Sequence, residues 1–199
     1  MKKADDIALG LLCGGASSRM GRDKCLIPLG EKRLIDYNIE RYKALNIPLF
    51  LVIHPGQDYS LDGVTVYYDL EPERCSLVGV YSALKQSPAE YNILLAGDMP
   101  FIPLPLLKTM MKYHPQYDVV VPKTATGYQP LCAIYHKNCL KPISLQLSAG
   151  QKTVYQFYPA VRVMELPAEV VSRFGAEEDI FFNINTESDY QKARAKIIQ

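Results

Sequence analysis

The sequence predicts an α/β protein with an open, mostly parallel, doubly wound sheet, in which helices cover both faces. Two short apolar runs, Ile7–Cys13 and Pro48–Ile53, and the largely apolar segment Tyr91–Ala96 are typical of parallel strands that are buried on both faces. Between these runs, apolar residues recur at helical spacing over Leu34–Leu45 and Leu77–Leu84. Strands that alternate with helices in this way build a parallel sheet.

The remaining elements follow in chain order. Val64–Tyr68 is predicted to be a strand, and Pro103–His114 a helix whose prolines lie in its first turn, where they are tolerated. The later part of the chain is predicted to contain strands at Asp118–Val121, Pro130–Tyr135 and Val161–Leu166, an extended segment at Phe181–Thr186, and a helix over Glu187–Ile198 that Thr186 caps. At 199 residues, we expect a single domain.

Charge and cysteine content argue against several classes of protein. The formal charge at pH 7 is +1, so no global field favours nucleic acid or a membrane surface, and we expect neither as a partner. Residues 1–6 lack the apolar core of a secretory signal, and no apolar run is long enough to span a bilayer. Five cysteines, none spaced as C-x-x-C, favour reduced thiols over disulfides or zinc. We therefore expect a cytoplasmic protein.

The segment Ile7–Lys24 (IALGLLCGGASSRMGRDK) has the features of a phosphate-binding loop. Its apolar run breaks at Gly14 and Gly15, and the cations Arg19 and Lys24 follow. We call residues 14–22 the glycine loop. Glycines let backbone N–H groups approach an anion closely, and Arg and Lys neutralise charge at separate points along it. The glycine spacing matches neither the P-loop nor the dinucleotide fingerprint. The alternative is an ordinary strand-to-helix turn with solvated basic residues.

Asp98 follows the apolar run Tyr91–Ala96 almost directly. In open α/β sheets, ligands bind beyond the carboxyl ends of the strands, so Asp98 is expected at the same edge as the glycine loop. One carboxylate together with substrate phosphate oxygens is a common arrangement for Mg²⁺. The alternative is a turn aspartate, since Gly, Asp and Pro all favour turns.

Three further side chains are candidates for ligand contacts. Asp69 ends the predicted strand Val64–Tyr68, where it is placed to bind a nucleobase, a ribose or a metal. Alternatively, it is a solvated member of an acidic run. Asn183 and Asn185 would share one face of an extended segment and bind a polar ligand or complete a metal site. The alternative for this pair is a turn.

Four segments of the chain match one family in order and span nearly its whole length. They are LCGGASSRMGRDK (12–24), DLEPERCSLVG (69–79), LLAGDMPFIP (94–103) and FFNINTESD (181–189). Together they resemble the molybdenum cofactor guanylyltransferases, in which the first segment is LAGGxxxRMGxDK. That family belongs to the nucleotidyltransferase superfamily, with a Rossmann-like, glycosyltransferase-A-like fold. Glu73, Ser76 and Val78 depart from the family's second segment, which lies near the base.

The resemblance implies a role for each matched position. Main-chain groups of Leu12, Cys13 and Gly14 would lie against the guanine and ribose. The implied GTP-binding residues are Leu12, Cys13, Gly14, Gly15, Lys24, Asp69 and Asp98. The implied catalytic residues are Lys24, Asp98 and Arg19, with Asp98 binding the Mg²⁺ cofactor. Asn183 and Asn185 would lie on the molybdopterin side.

The implied reaction is transfer of GMP from GTP to the terminal phosphate of molybdopterin, with release of pyrophosphate. Residues 1–125 would form the nucleotide-binding half of the domain and residues 126–199 the acceptor-side half. GTP and molybdopterin would be the substrates, with transient contacts to other cofactor-biosynthesis proteins or apo-molybdoenzymes. The alternatives are a molybdopterin cytidylyltransferase, a sugar-phosphate nucleotidyltransferase, or a GTP-binding regulatory protein without turnover.

Overall fold

The computed structural model describes residues 6–14, 23–59 and 61–198, and a mixed sheet of eight strands forms its centre. The strands of this sheet are β1 (Ile7–Leu12), β4 (Leu49–Ile53), β5 (Thr65–Tyr68), β6 (Tyr91–Ala96), β7 (Val119–Thr124), β8 (Gly127–Tyr128), β9 (Cys132–His136) and β10 (Val163–Pro167). A separate hairpin consists of β2 (Pro28–Leu29) and β3 (Lys32–Arg33), joined through Gly30, whose φ of 67° suits a glycine.

Helices connect most of these strands. The α-helices are α1 (Leu34–Lys43), α2 (Ser76–Gln86), α3 (Leu104–Met110), α4 (Leu140–Ser148), α5 (Ala168–Val171), α6 (Glu177–Ile180) and α7 (Glu187–Ile198). Short 3₁₀ helices lie at Lys24–Leu26, His114–Gln116, Lys137–Cys139, Val154–Ala160 and Ser172–Phe174. Within the described residues, no helix has both the length and the apolar character that crossing a membrane requires.

The strand order is β10-β7-β9-β6-β1-β4-β5, with β8 paired to β7. Strands β5, β4, β1 and β6 are parallel to one another, and so are β7 and β10. Strand β9 is antiparallel to both of its neighbours. The prediction of a mostly parallel α/β sheet is therefore confirmed. Strand β9 corresponds to the predicted strand Pro130–Tyr135, but its antiparallel direction was not predicted.

Alternate residues of the strands face two separate layers of helices. Leu9 and Leu11 of β1 belong to the apolar cluster that contains Ile39 of α1. Ala8, between Ile7 and Leu9, belongs to the cluster on the other side, which contains Leu84 of α2. The inner strands β1 and β6 are thus covered on both faces, which explains their largely apolar sequences, whereas the edge strand β5 is partly exposed.

The structure differs from the predicted elements at several points. Helix α3 ends at Met110 rather than His114, and residues 114–116 form a separate 3₁₀ helix. Helices α4, α5 and α6 were not predicted. Residues 181–186 form no strand, but the Ile184 N–H donates to the Asp98 carbonyl at 3.0 Å, and Thr186 caps α7 by accepting from the Asp189 N–H at 3.1 Å.

Candidate active site

The carboxyl ends of β1, β4, β5 and β6 meet at one edge of the sheet. The register pairs Leu12 with Ala96, and just beyond it the Gly97 N–H donates to the Leu12 carbonyl at 2.9 Å. At the ends of β4 and β5, the Asp69 N–H donates to the carbonyl of Ile53 at 2.9 Å. This pairing brings the start of the glycine loop, Asp69 and Asp98 to one edge, as expected for parallel strands.

A cavity of about 250 Å³ opens at this edge. Its walls come from the ends of the strands, the turn that carries Lys24, and the start of α2. The lining residues are Leu12, Cys13, Gly14, Asp23, Lys24, Cys25, Val52, Asp69, Arg74, Cys75, Ser76, Gly79, Ala96, Asp98 and Leu131. The set includes all of the predicted nucleotide-side residues that the structure describes. Gly15 and Arg19 lie outside the described residues.

Lys24 connects the glycine loop to two distant parts of the chain. Its Nζ lies 3.4 Å from Oδ2 of Asp98 and donates to Oδ1 of Asn185 at 2.7 Å. The side chain is only 15% exposed, against 23% for that of Asp98. The cation is therefore held at the junction of the glycine loop, the end of β6 and the segment before α7.

Asp98 is held close to Lys24 by its neighbours in the chain. A Cβ atom at Gly97 would lie 2.6 Å from Sγ of Cys13 and 2.8 Å from Sγ of Cys25, so the position accepts only glycine without rearrangement. The Gly97 carbonyl accepts from Nδ2 of Asn38 at 2.9 Å. Burial raises the pKa of Asp98 above its ordinary value, and the attraction of Lys24 only partly opposes this effect.

Asp69 lies against the start of the glycine loop. A Cβ atom at Gly14 would lie 2.4 Å from Oδ2 of Asp69, so glycine is required there for the carboxylate to approach the backbone. Oδ1 of Asp69 is buried and has no hydrogen-bond partner. Burial raises the pKa of Asp69 to about 6, although His54 and Arg74 lower it. Asp69 lines the cavity, so a ligand bound there would lie beside its carboxyl group.

The two predicted asparagines have different surroundings. Asn185 contacts Lys24, as described above, whereas Asn183 donates from Nδ2 to the Phe181 carbonyl at 2.9 Å. The hydrogen bond from Ile184 to the Asp98 carbonyl brings this segment to the site. Asn185 thus reaches the cluster of Lys24 and Asp98 from the far end of the sequence.

Sequence reasoning missed several residues of the site. Gln57 and Tyr59, from the loop after β4, both contact the carboxylate of Asp23. Arg74 lines the cavity, and its Nη2 lies 3.1 Å from Nδ1 of His54. Asp23 belongs to the recognised D-K pair, so its position could have been suspected. Gln57 and Tyr59 lie in a loop without any pattern in the sequence that indicates a role. Arg74 lies within the second family segment, at a position to which the resemblance gave no role.

The model of the MobA-like NTP transferase domain family matches residues 10–163, which include the glycine loop, Asp69 and Asp98. The chain belongs to this family. It is therefore a nucleotidyltransferase, and the resemblance seen in the four segments is confirmed.

Relatives over the whole length agree with this assignment. The chain is 33% identical over 196 residues to a protein of Natranaerobius thermophilus named "Probable molybdenum cofactor guanylyltransferase", covering 96% of each. It is 30% identical over 195 residues to the molybdenum cofactor guanylyltransferase of Desulfosudis oleivorans, again covering 96% of each.

A solved structure shares the fold of this chain. It is that of molybdopterin-guanine dinucleotide biosynthesis protein A from Archaeoglobus fulgidus, at 24% identity and a TM-score of 0.83, covering 96% of this chain and 98% of that one. The α/β nucleotidyltransferase fold expected from the sequence is therefore confirmed.

Proposed function

We propose that this protein transfers GMP from GTP to the terminal phosphate of molybdopterin and releases pyrophosphate. The observation that carries the proposal is the pairing of Lys24 with Asp98, 3.4 Å apart, at the edge of a cavity that also contains Asp69 and the start of the glycine loop. The names of the full-length relatives supply the acceptor and the nucleotide. They favour this reaction over cytidylyl or sugar-phosphate transfer.

The nucleoside of GTP would lie against the main chain of Leu12, Cys13 and Gly14. The carboxylate of Asp69, which lines the cavity, would then lie beside the base. An ionised carboxylate only accepts hydrogen bonds. Guanine is the one common base with two adjacent N–H donors on its Watson–Crick edge, so a carboxylate can accept both. This geometry supports GTP over CTP, ATP and UTP, despite the departures at Glu73 and Ser76.

Asp98 would bind a divalent cation, which we propose to be Mg²⁺. The fit rests on a partly buried carboxylate at a strand end, beside a lysine and a cavity for the triphosphate. Among the described residues, no group of three or more His, Cys, Asp or Glu side chains could hold a metal. The site therefore suits an ion that takes its other ligands from phosphate oxygens and water. Such an ion supplies charge neutralisation on the triphosphate.

The protein's contribution to the reaction is positioning and electrostatics. The attacking phosphate oxygen is already ionised at neutral pH, so no strong general base is required. Lys24 would neutralise negative charge that develops on the transferred phosphoryl group as pyrophosphate leaves. Backbone N–H groups of the loop from Gly14, with Gly15 and Arg19, would orient the phosphates. The roles of Gly15 and Arg19 are proposed from the matched sequence motif alone.

The acceptor would bind beside Asn183 and Asn185. On this proposal the chain is a single domain in which residues 1–125 bind the nucleotide and residues 126–199 the acceptor. The contact between Asn185 and Lys24, at 2.7 Å, supports a common border of the two binding regions. The cytoplasmic location and transient contacts with apo-molybdoenzymes or other cofactor-biosynthesis proteins belong to the same proposal.

A nucleotide panel tests the proposal. GTP, CTP, ATP and UTP are titrated calorimetrically into the protein with Mg²⁺, and pyrophosphate release is then followed after molybdopterin is added. We expect GTP to bind most tightly and to be the one nucleotide that gives rapid pyrophosphate release. Release with CTP instead would identify a cytidylyltransferase. GTP binding without release, with both Mg²⁺ and molybdopterin present, would identify a regulatory protein.

A further inference from the structure

Three side chains hold the two ends of the glycine loop together, and we call them the loop clamp: Asp23, Gln57 and Tyr59. Asp23 is the first described residue after the loop. Gln57 and Tyr59 belong to the segment that follows β4. The hydroxyl of Tyr59 donates to Oδ2 of Asp23 at 2.5 Å, and Nε2 of Gln57 donates to the same oxygen at 2.6 Å. Both distances are in the range of strong, charge-assisted hydrogen bonds.

Gln57 contacts residues on both sides of the glycine loop. Its Nε2 lies 3.4 Å from the carbonyl oxygen of Cys13, which directly precedes the loop, and 3.0 Å from Oη of Tyr59. Its own Oε1 accepts from the His54 N–H at 2.7 Å, which fixes the side-chain amide. One side chain therefore bridges the two ends of the segment 13–23.

Asp23 also fixes the backbone of the turn that contains Lys24. Its other oxygen, Oδ1, accepts from the Cys25 N–H at 3.0 Å and so caps the single turn Lys24–Leu26. One oxygen of the Asp23 carboxylate thus accepts from Gln57 and Tyr59, and the other accepts from the backbone of the turn that carries Lys24. The position of the Lys24 backbone depends on a carboxylate that Gln57 and Tyr59 hold.

The environment of Tyr59 makes it suited to such a role. The side chain is buried, at 4% exposure, among the apolar residues that pack under the sheet. Burial raises the pKa of Tyr59 above its ordinary value, so the hydroxyl keeps its proton and remains a donor to Asp23. A buried tyrosine has few alternative conformations, which makes it a rigid support.

We propose that Gln57 and Tyr59 are positioning residues for Lys24: through Asp23 they hold the lysine where it meets Asp98 and the triphosphate. This inference rests on the proposed function for the role of Lys24 in GMP transfer. A lysine side chain is flexible, so its direction is set by its backbone and by its few contacts. Small displacements of a charged group from the reacting phosphate cause large losses in rate.

A double-mutant cycle on Tyr59→Phe and Lys24→Ala tests the proposal. With GTP, Mg²⁺ and molybdopterin, we expect Tyr59→Phe to lower kcat about tenfold, the usual order for a lost hydrogen bond to a charged group, with little change in the KM for molybdopterin. In the Lys24→Ala background, the same substitution should change kcat less than about twofold, because its effect passes through Lys24. Equal losses in both backgrounds, or no loss in the wild-type background, would overturn the proposal.

A second measurement reads the position of Lys24 without catalysis. Lysines are labelled briefly with a small amine reagent and quantified by mass spectrometry, with the half-exposed Lys32 as internal reference. We expect Lys24, only 15% exposed, to be labelled about threefold faster in Tyr59→Phe, as local opening increases. Unchanged labelling would contradict the clamp even if GMP transfer is confirmed. Absent GMP transfer with faster labelling would contradict only the proposed function.

Two further variants complete the design. Gln57→Leu removes every hydrogen bond of that amide and should lower kcat more than Tyr59→Phe does.

Tyr158→Phe is the matched control, because it removes a hydroxyl of similar burial, bonded to Tyr135 at 3.0 Å, in the apolar cluster on the other face of the sheet. We expect it to leave kcat and Lys24 labelling at wild-type values. A loss of kcat in the control equal to that in Tyr59→Phe would show a general packing effect and overturn the proposal.

Discussion

Aspartates at the two edges of the same sheet have opposite environments. Asp118, just before β7, lies at the amino edge and is fully satisfied. Its Oδ2 accepts from the backbone N–H and from Nε of Arg162, both at 3.0 Å. Its Oδ1 accepts from Nη2 of Arg162 at 3.1 Å and from Nδ2 of Asn138 at 2.9 Å. These donors hold the pKa of Asp118 well below its usual value.

At the carboxyl edge, burial has the contrary effect. It raises the pKa of both Asp69 and Asp98, and one oxygen of Asp69 has no partner at all. The protein could have supplied partners, as it does for Asp118. Lys24 is a partner for Asp98, but it does not offset the effect of burial. At this edge, where the family motifs converge, the incompletely satisfied carboxylate of Asp69 costs stability in the absence of a ligand.

This contrast separates structural from functional carboxylates without knowledge of the ligand. A carboxylate surrounded by donors contributes to folding, whereas one that lacks them depends on substrate or metal to provide the missing charge. Substitutions at the two edges should therefore affect activity and stability separately. If both properties fell together in the same variants, the distinction between structural and functional carboxylates would be wrong.

The largest effect is expected from Asp98→Ala. Removing the proposed metal-binding carboxylate should lower GMP transfer about a thousandfold or more, because charge on the triphosphate is no longer neutralised. The melting temperature should change little or rise, since a buried charge is lost. The exposed Asp62→Ala serves as the control and should keep full activity. Near-normal turnover of Asp98→Ala in a pyrophosphate-release assay would show that the site assignment is wrong.

Lys24→Ala should have the next largest effect. The loss of one preorganised cation corresponds to about 2–4 kcal/mol of transition-state stabilisation. Steady-state kinetics with GTP should show this as a lower kcat, and GTP affinity from calorimetry should fall less. Lys32→Ala, on the exposed hairpin, is the matched control. If the variant binds GTP poorly but turns over normally at saturation, Lys24 contributes to ground-state binding alone.

Sequence patterns predicted this edge of the fold well because its elements are local. The strands β1 and β6 that lead to the site are largely apolar in sequence, and Gly14, Asp69 and Asp98 each follow the end of a strand within two residues. Parallel pairing then places those strand ends together without further information. The proximity of Lys24 to Asp98, which the motifs implied, is observed at 3.4 Å.

The parts that sequence reasoning missed depend on contacts between distant segments. Helix α4 and the antiparallel direction of β9 are set by packing on the sheet, which a periodic pattern does not encode. Gln57 and Tyr59 lie in a loop, where a polar residue and an aromatic one carry no distinctive signal. The contact of Asn185 with Lys24 spans 161 positions, so it could be inferred only by family resemblance.

At the amino edge, Asp118→Asn should lower stability without a direct effect on chemistry. The new amide presents N–H groups to Arg162, so we expect a loss of about 2 kcal/mol in the free energy of unfolding at pH 7. A lowered folded-state pKa stabilises above the unfolded value near 3.9, and that contribution is lost as the pH falls further. The deficit measured by urea unfolding should therefore shrink below about pH 4. A deficit that does not depend on pH, or a loss of kcat as large as that of Lys24→Ala, would break the comparison.

Asp69→Asn is expected to have the smallest effect on folding, and one of the opposite sign. Because the folded-state pKa is raised to about 6, the folded chain binds the extra proton below that pH, and its stability falls as the pH rises through 6. The variant escapes this cost, so at pH 7.5 it should be more stable than the wild type by about 1 kcal/mol, the shift being reduced by partial exposure to solvent. The difference should close towards pH 4, and GTP affinity should fall, because an amide cannot accept from both donors of guanine. Urea unfolding at pH 7.5 and 4.5, together with GTP calorimetry, measures both effects. A variant that is less stable at pH 7.5 would place Asp69 with Asp118 among the structural carboxylates.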